Sequence, residues 1–349
     1  MFHERLFRAR KAAGLSMSAL GLEVGVSANA IKKYEHGLNM PTSSNLLKLA
    51  KALGVRTEYF FRPVKLELEG VEYRKRSNTP KALLHKINGD VIEQAERWTE
   101  LLDLYPDSVK PVEKFTLPET LPDQIESENC IELIANQVRK IWDLGLNPIP
   151  DMIDTLESKG IMIICTEVES KAKFDGLAGT VNGVPIIVIS SHQPGDRQRF
   201  TLAHELGHLL LHGRLGEGMD EEKACNRFAG AFLLPNESVV QHLGQNRQHL
   251  ELQEAYILKH EFGLSMMGVI FRAFQCNIIT ENQKLSLNKR FSAKGWRKQE
   301  PGNPYPQEST YLFKQLIYRA LAENYIGDSK AAELLGISLS QFHKDRKLG

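Results

Sequence analysis

The sequence predicts a multidomain fold: an all-α N-terminal domain, a central α+β domain with a small sheet, and a helical C-terminal region. Three observations lead to this fold class. The chain has 349 residues, enough for two or three domains with cores of their own. Helical apolar spacing covers residues 3–13, 42–53 and most of the tail from 250. Strand-sized apolar runs, such as IMIIC (161–165) and VPIIVI (184–189), lie in the middle.

The composition is that of an ordinary globular protein. Hydrophobic residues make up 42% and charged residues 25%, unlike disordered, collagenous or membrane proteins. The apolar runs are too short to cross a bilayer, and the charged N-terminus lacks the apolar stretch of a secretory signal. The four cysteines are scattered without CxxC spacing, which favours a reducing environment. We therefore expect a cytoplasmic protein with no membrane partner.

Charge is distributed unevenly along the chain. The formal net charge is +1, but residues 1–62 contain ten Lys and Arg against four Glu, a balance of +6. The rest of the chain is therefore negative. This asymmetry predicts that only the N-terminal part binds a polyanion.

Residues 15–37 carry the pattern of a helix-turn-helix. Gly25 can form the tight turn between two short helices, and apolar residues fall where the helices face each other, namely Leu15, Leu20, Val24, Val26 and Ile31. The outward positions expected to contact DNA are Ser27, Ala28, Asn29, Lys32 and Lys33. A preceding row of arginines, Arg5, Arg8 and Arg10, suits phosphates.

These residues resemble the XRE family of Cro-like and phage-repressor-like DNA-binding domains over about residues 1–60. The resemblance rests on GVS at 25–27, on YEHG at 34–37, and on LLKLAKALGV after Pro41. Met17 departs from the family, which usually has Gln there. The resemblance implies a domain over 1–62 that binds double-stranded DNA, and half-site recognition makes a homodimer plausible.

Residues 63–128 are predicted to connect this domain to the next one. They contain a short strand-like run and a helix near 80–104, and they end in the Pro- and acid-rich TLPETLPDQIESEN. The helical spacing of RWTELLDLYPDSV, residues 97–109, favours a packing face over a recognition surface. The second domain is predicted over 129–245, with a hairpin turn at Asn182-Gly183.

A metal-binding motif lies in the predicted helix near 195–212. His204, Glu205 and His208 form HExxH, which places two imidazoles one turn apart on the same side of a helix. Glu205 is then positioned as the catalytic base that deprotonates a metal-bound water. His212 continues the row, but eight residues of helix rise about 12 Å, too far for the same ion. We expect His212 to contact a ligand residue or solvent.

The third ligand is expected from the next helix, DEEKACNRFAGAFLLP at 220–235. Glu221 and Glu222 both lie within reach of its apolar face, and periodicity slightly favours Glu221. HELGHLLLH followed by EKACNRFAGAFLLP resembles the ImmA/IrrE family of metallopeptidases over roughly residues 130–275. Matched residue by residue, this resemblance implies Glu222 as the ligand and Asn226 as the family's asparagine, a candidate partner of the ligands.

The resemblance also implies a zincin-like fold and a zinc-type endopeptidase, with Mn²⁺ or another divalent ion as alternatives to Zn²⁺. In this family the substrate is often a helix-turn-helix repressor, here of stress, prophage or mobile-element genes. The alternative is a transcription factor whose metallopeptidase-like domain is only a sensor. An intact Glu205 favours the enzyme, because a sensor needs no general base.

Three glycine-serine turns recur along the chain. GVS at 25–27, GLS at 263–265 and GIS at 336–338 each separate two helical segments. In each we expect a left-handed Gly and a Ser that caps the next helix. The region 246–349 is thus predicted to be helical with helix-turn-helix-like units, the last of which either binds DNA or a partner or is a structural cap. The basic, then Pro- and Gly-rich stretch 289–306 is predicted to be a flexible connector.

Overall fold

The computed structural model describes residues 2–61, 68–73, 81–109, 111–167 and 174–347. Its N-terminal domain is all-α, as predicted, with helices α1 (Phe2–Ala12), α2 (Met17–Val24), α3 (Ala28–Glu35) and α4 (Ser43–Ala52) and a 3-10 helix at Thr57–Phe61. Side-chain oxygens of Ser16, Ser27 and Thr42 accept backbone N–H groups at the starts of α2, α3 and α4. Leu20, Val24 and Ile31 lie in its core, as the helix-turn-helix pattern requires.

The expectation that the row of arginines faces phosphates is wrong for Arg5 and Arg10. Their exposed fractions are 2% and 4%. Arg10 donates to both carboxylate oxygens of Glu35, at 2.5 and 2.8 Å, and Arg5 forms an ion pair with Glu96. A buried guanidinium requires such carboxylate partners, so these two charges hold the fold together and are not available to DNA.

The sheet has four strands in the order β1-β3-β4-β2. They are β1 (Leu68–Tyr73), β2 (Met162–Thr166), β3 (Gly176–Val181) and β4 (Val184–Ser190). β3 pairs antiparallel with both β1 and β4, whereas β2 and β4 are parallel. The predicted hairpin is confirmed: Asn182 and Gly183 connect β3 to β4 with positive φ angles of 50° and 75°, typical of a two-residue turn.

Helices cover both faces of the sheet. On one face lie α6 (Glu128–Ile141), α7 (Met152–Ser158), α8 (Gly195–Leu211) and α9 (Glu221–Leu233), which share a core with Ile163 and Ile187. The other face carries Ile164 and Val188 and packs against α5 (Lys81–Asp103), α14 (Leu312–Ala322), α15 (Asp328–Leu334) and α16 (Leu339–Asp345). Neighbouring strand residues thus point into different cores.

The remaining helices are α10 (Asn236–Leu243), α11 (Leu252–Phe262), α12 (Met266–Gln275) and α13 (Glu281–Ala293). All three predicted glycine-serine turns are confirmed. The glycines have left-handed φ angles of 78°, 66° and 69°, and each serine side chain caps the following helix, at Gly25/Ser27, Gly263/Ser265 and Gly336/Ser338. No helix in the described part of the chain is both long and apolar enough to span a bilayer.

The prediction of a flexible connector over 289–306 is wrong. Residues 289–293 belong to α13, and the segment 300–310, which we call the strap, packs against α7, α8 and α11. The Glu300 carboxylate accepts from Lys259 at 2.8 Å, and a Cβ on Gly195 would lie 1.9 Å from the Pro306 carbonyl oxygen. Glu308 forms an ion pair with the fully buried Arg199. These contacts fix the path of the chain to α14.

Helix α5 contacts the N-terminal domain, the sheet and the C-terminal helices. Its Glu96 meets both Arg5 and Arg8 of α1, while Gln94 donates to the Cys165 carbonyl oxygen of β2 at 3.4 Å. Glu100 forms an ion pair with Lys330 of α15. The helix also buries Trp98 and Leu101. The packing face predicted for residues 97–109 is therefore confirmed.

Candidate metal centre

The centre forms where α8 and α9 cross. Gly207 lets the two helices approach closely, since a Cβ there would lie 3.2 Å from the Cys225 Cα atom. This close approach sets the first turn of α9 against the HExxH turn of α8. His204 and Glu205 are fully buried, and His208 is 7% exposed.

Three predicted residues meet around one point. The Nε2 atoms of His204 and His208 lie 3.0 Å apart, and the Glu222 carboxylate oxygens lie 3.6 Å from the first and 3.4 Å from the second. Ligand atoms bound tetrahedrally to Zn²⁺ with bonds of 2.0–2.1 Å are about 3.3 Å apart. The donor set and its spacing therefore fit a divalent cation.

Cys225 is also close to the two imidazoles. Its sulfur and the histidine nitrogens all lie within 4.8 Å of one another, and all three residues are buried. Sequence spacing gave no sign of this thiol, because the cysteines have no CxxC pattern. Glu222 is the other candidate for the third ligand. Its side chain is 52% exposed, so this side of the centre faces solvent. The Glu222 carboxylate thus reaches the two imidazoles from the solvent side, whereas the Cys225 thiol reaches them from the buried side.

The Nδ1 atoms of both histidines, which point away from the predicted metal position, form hydrogen bonds with residues of α9. Nδ1 of His204 donates to Asn226 Oδ1 at 2.9 Å, and Nδ1 of His208 donates to Glu221 Oε1 at 3.2 Å. Each bond leaves Nε2 as the acceptor, which is the arrangement that orients imidazoles toward a metal. Glu221 thus contacts the Nδ1 side of His208, whereas the Glu222 carboxylate faces the Nε2 atoms of both histidines. His212 is 63% exposed and contacts Glu221 at 3.3 Å.

Glu205 lies against the first residue of β3, an interior strand of the sheet. A Cβ on Gly176 of β3 would lie 3.1 Å from Glu205 Oε1 and 2.6 Å from the Thr201 methyl carbon. Gly176 therefore makes room for the predicted base. Sequence analysis missed this role, although a glycine inside a strand is itself a signal of close approach.

The predicted DNA-contacting residues share one exposed surface of the N-terminal domain. Ser27, Asn29, Lys32 and Lys33 are exposed, and Ala28 is half-buried at the start of α3. The Ser27 hydroxyl accepts from Ala30 N at 3.1 Å and keeps its own hydrogen for donation. Whether these side chains touch DNA stays a prediction.

Comparisons with known families match two separate parts of the chain. A helix-turn-helix family matches residues 6–60, and the IrrE N-terminal-like domain, of metallopeptidase type, matches residues 156–274. The second match contains α8, α9 and every residue of the candidate metal centre.

Curated relatives align over short stretches of this chain. It is 42% identical over 52 residues to the cryptic phage CTXphi transcriptional repressor RstR of Vibrio cholerae, covering 15% of this chain and 46% of RstR. It is 41% identical over 58 residues to a transcriptional regulator in the ATPase CF(0) region of Rhodospirillum rubrum, covering 17% and 54%. The alignments thus span about half of these two relatives. A third, the SPbeta prophage-derived HTH-type transcriptional regulator YonR of Bacillus subtilis, is 30% identical over 94 residues, covering 27% of this chain and 84% of YonR.

Proposed function

Because the chain belongs to the helix-turn-helix transcriptional regulators and carries an IrrE N-terminal-like domain, we propose that it is a DNA-binding regulator and a metal-dependent endopeptidase. One observation carries the enzymatic part. The ligand atoms of His204, His208 and Glu222 lie 3.0 to 3.6 Å apart, and Glu205 follows the first histidine directly. We propose Zn²⁺ as the cofactor, with Mn²⁺ or another divalent ion as the alternative.

The residues of the centre have separable tasks in peptide hydrolysis. A divalent cation bound here supplies a Lewis acid that polarises the scissile carbonyl and acidifies water. Glu205 takes a proton from the attacking water as its oxygen bonds to the carbonyl carbon. The same carboxyl group then gives that proton to the leaving amine as the C–N bond breaks. Asn226 and Glu221 hold the imidazole planes through their Nδ1–H groups.

We propose a helix-turn-helix repressor as the protein substrate and double-stranded DNA as the partner of the N-terminal domain. A protease joined to an operator-binding domain acts at a high local concentration on other proteins bound nearby. The exposed side chains of Ser27, Asn29, Lys32 and Lys33 support the DNA contact. We propose a homodimer because helix-turn-helix domains commonly bind paired half-sites as dimers. A cytoplasmic location fits both partners.

The test compares the zinc-loaded wild type with Glu205→Gln on purified helix-turn-helix repressors. We expect the wild type to cut a repressor and Glu205→Gln to lose at least 10²-fold in rate, the lower range for a general base. Glu237→Gln, an exposed residue on α10, is the matched control and keeps wild-type rates. Metal content is measured for all three.

If no repressor is cut although the ion is bound, and wild type and Glu205→Gln regulate a promoter equally, the domain is a sensor. That result would reject the endopeptidase. It would leave the DNA-binding assignment intact.

A further inference from the structure

A pocket of about 370 Å³ lies beside the candidate metal centre, and we call it the α12 pocket. Its volume falls within the range of about 300–1,000 Å³ that is typical of ligand pockets. The residues of its wall that matter here come from four helices and one turn: Phe200, Asn226, Leu264, Met267, Phe271 and Lys284.

The pocket is lined by residues that lie one helical turn from the metal ligands on both crossing helices. Phe200 precedes His204 by four residues on α8, and Asn226 follows Glu222 by four residues on α9. At 1.5 Å per residue, each step is about 6 Å along its helix. An extended peptide advances about 3.3 Å per residue. A peptide whose scissile carbonyl lies at the ligands therefore places a side chain one or two residues away at the pocket.

The wall of the pocket is mainly apolar. Leu264 is buried in its floor, Phe200 and Met267 are half-buried, and Phe271 is 48% exposed at its rim. An apolar occupant would remove the Phe271 ring from water, which is favourable at about 25 cal/mol per Å² of apolar surface. These walls fit a large aliphatic or aromatic side chain.

A cation at the rim adds a second preference. The Lys284 ammonium lies 3.7 Å from the Phe274 ring centroid, and its side chain is 14% exposed. Among the described residues, the one carboxylate within ion-pair distance is that of Glu281, at 3.7 Å and 69% exposed. The other cation of the pocket, Arg272, is held by both oxygens of Glu132 at 2.6 and 3.1 Å. Lys284 is thus the charge available to a ligand.

A second pocket of about 410 Å³ continues the groove. It shares Phe200 and Met267 with the α12 pocket and carries the exposed Arg297 and Lys298 on its far side. Its two acids, Asp196 and Glu300, are both paired with Lys259, at 3.2 and 2.8 Å. The combined groove therefore has apolar residues shared by both pockets, with Lys284 in the first pocket and Arg297 and Lys298 in the second. This charge pattern matches a peptide with an apolar residue flanked by Asp or Glu.

We propose that the α12 pocket is the specificity subsite for the peptide substrate, taking a large apolar side chain close to the scissile bond while Lys284 selects an adjacent acidic residue. The inference rests on the proposed endopeptidase function and extends it to the class of sequence that is cut. Met267 and Phe271 determine the size of the accepted side chain. Lys284 determines the sign of the charge beside it.

The test is the cleavage profile of the zinc-loaded full chain on a peptide mixture randomised at each position, read by mass spectrometry. We expect Leu, Met or Phe over Ala by about 10- to 200-fold at one position, the range for small apolar differences in a pocket. Lys284→Glu should reverse the neighbouring preference from Asp or Glu to Lys or Arg. Lys289→Glu, exposed on the same helix, should leave the profile unchanged.

Two size variants test the apolar wall. Met267→Trp fills the pocket and should shift the preference to Ala or Gly. Phe271→Ala removes a rim residue without overpacking the core and should weaken the preference for large side chains about tenfold. If Lys284→Glu and Phe271→Ala both cleave at normal rates and keep the sequence preference of the wild type, the subsite inference is overturned. The endopeptidase proposal would then remain supported.

Binding to an immobilised peptide array separates the two proposals, because Glu205→Gln can be used there. Array binding with the apolar-acidic preference, altered by Lys284→Glu, would support the subsite even if no peptide were cut, and the endopeptidase would then fail alone. If the array shows no such preference and nothing is cut, both proposals fall.

Discussion

Asn226→Ala is expected to weaken zinc binding without unfolding the protein. The substitution deletes the acceptor that lies 2.9 Å from His204 Nδ1, and His204 has no exposed surface. A buried donor such as His204 Nδ1–H that loses its acceptor costs about 1–3 kcal/mol, which corresponds to a factor of about 5 to 150 in zinc affinity. Loss of a residue that orients a metal ligand typically costs 10- to 100-fold. We therefore expect an increase of one to two orders of magnitude in the zinc Kd.

The assay is competition for Zn²⁺ with a chromophoric chelator at fixed pH. Asn226→Asp keeps an oxygen acceptor and should recover most of the affinity, and His212→Ala, at a residue whose side chain is 63% exposed, should change it less than threefold. The reasoning is refuted if Asn226→Ala binds zinc as tightly as the wild type while its unfolding transition is unchanged. In that case the ring of His204 is oriented by its packing alone.

Three further predictions concern other parts of the molecule. Gly176→Ala should abolish cleavage and lower the free energy of unfolding by about 1–3 kcal/mol, measured by urea unfolding, because its Cβ would lie 2.6 Å from a Thr201 carbon. Burial raises the pKa of Glu157 to about 7, so the folded state binds more protons than the unfolded state and stability should fall as pH rises from about 4.5 to 7. Urea unfolding at several pH values should lose this slope in Glu157→Gln. Lys32→Ala should weaken DNA binding uniformly across sequences and reduce the salt slope by about 1.

Short-range features of this chain were readable from the sequence. The HExxH helix and the three glycine-serine turns depend on residues within a few positions of one another, and the structure has helices and caps where these patterns predict them. The choice of Glu221 or Glu222 as the third ligand was harder to make from the sequence. Glu221 and Glu222 are adjacent, so they differ by about 100° around α9, and periodicity cannot fix the phase of a helix that closely.

Long-range pairing was not readable. Arg5 belongs to a row of arginines that looks suited to phosphates, but its partner Glu96 comes from α5, 91 residues later. The strap was misread for the same reason. Its Pro and Gly content suggests flexibility, while the partner of Glu308 is Arg199, 109 residues earlier. Charge patterns identify a binding surface only when the fold leaves the charges exposed.

The position of α5 has a consequence for dissecting this protein into pieces. Glu96, whose side chain is only 10% exposed, takes its cations from α1, and the backbone carbonyl of Ile337 takes a hydrogen bond from Arg56. Deleting the first 61 residues would uncover one side of α5 and leave that carboxylate without its guanidinium partners. Unfolding should therefore be cooperative across the three regions. A fragment that begins at residue 62 would be less stable than the same residues in the full chain.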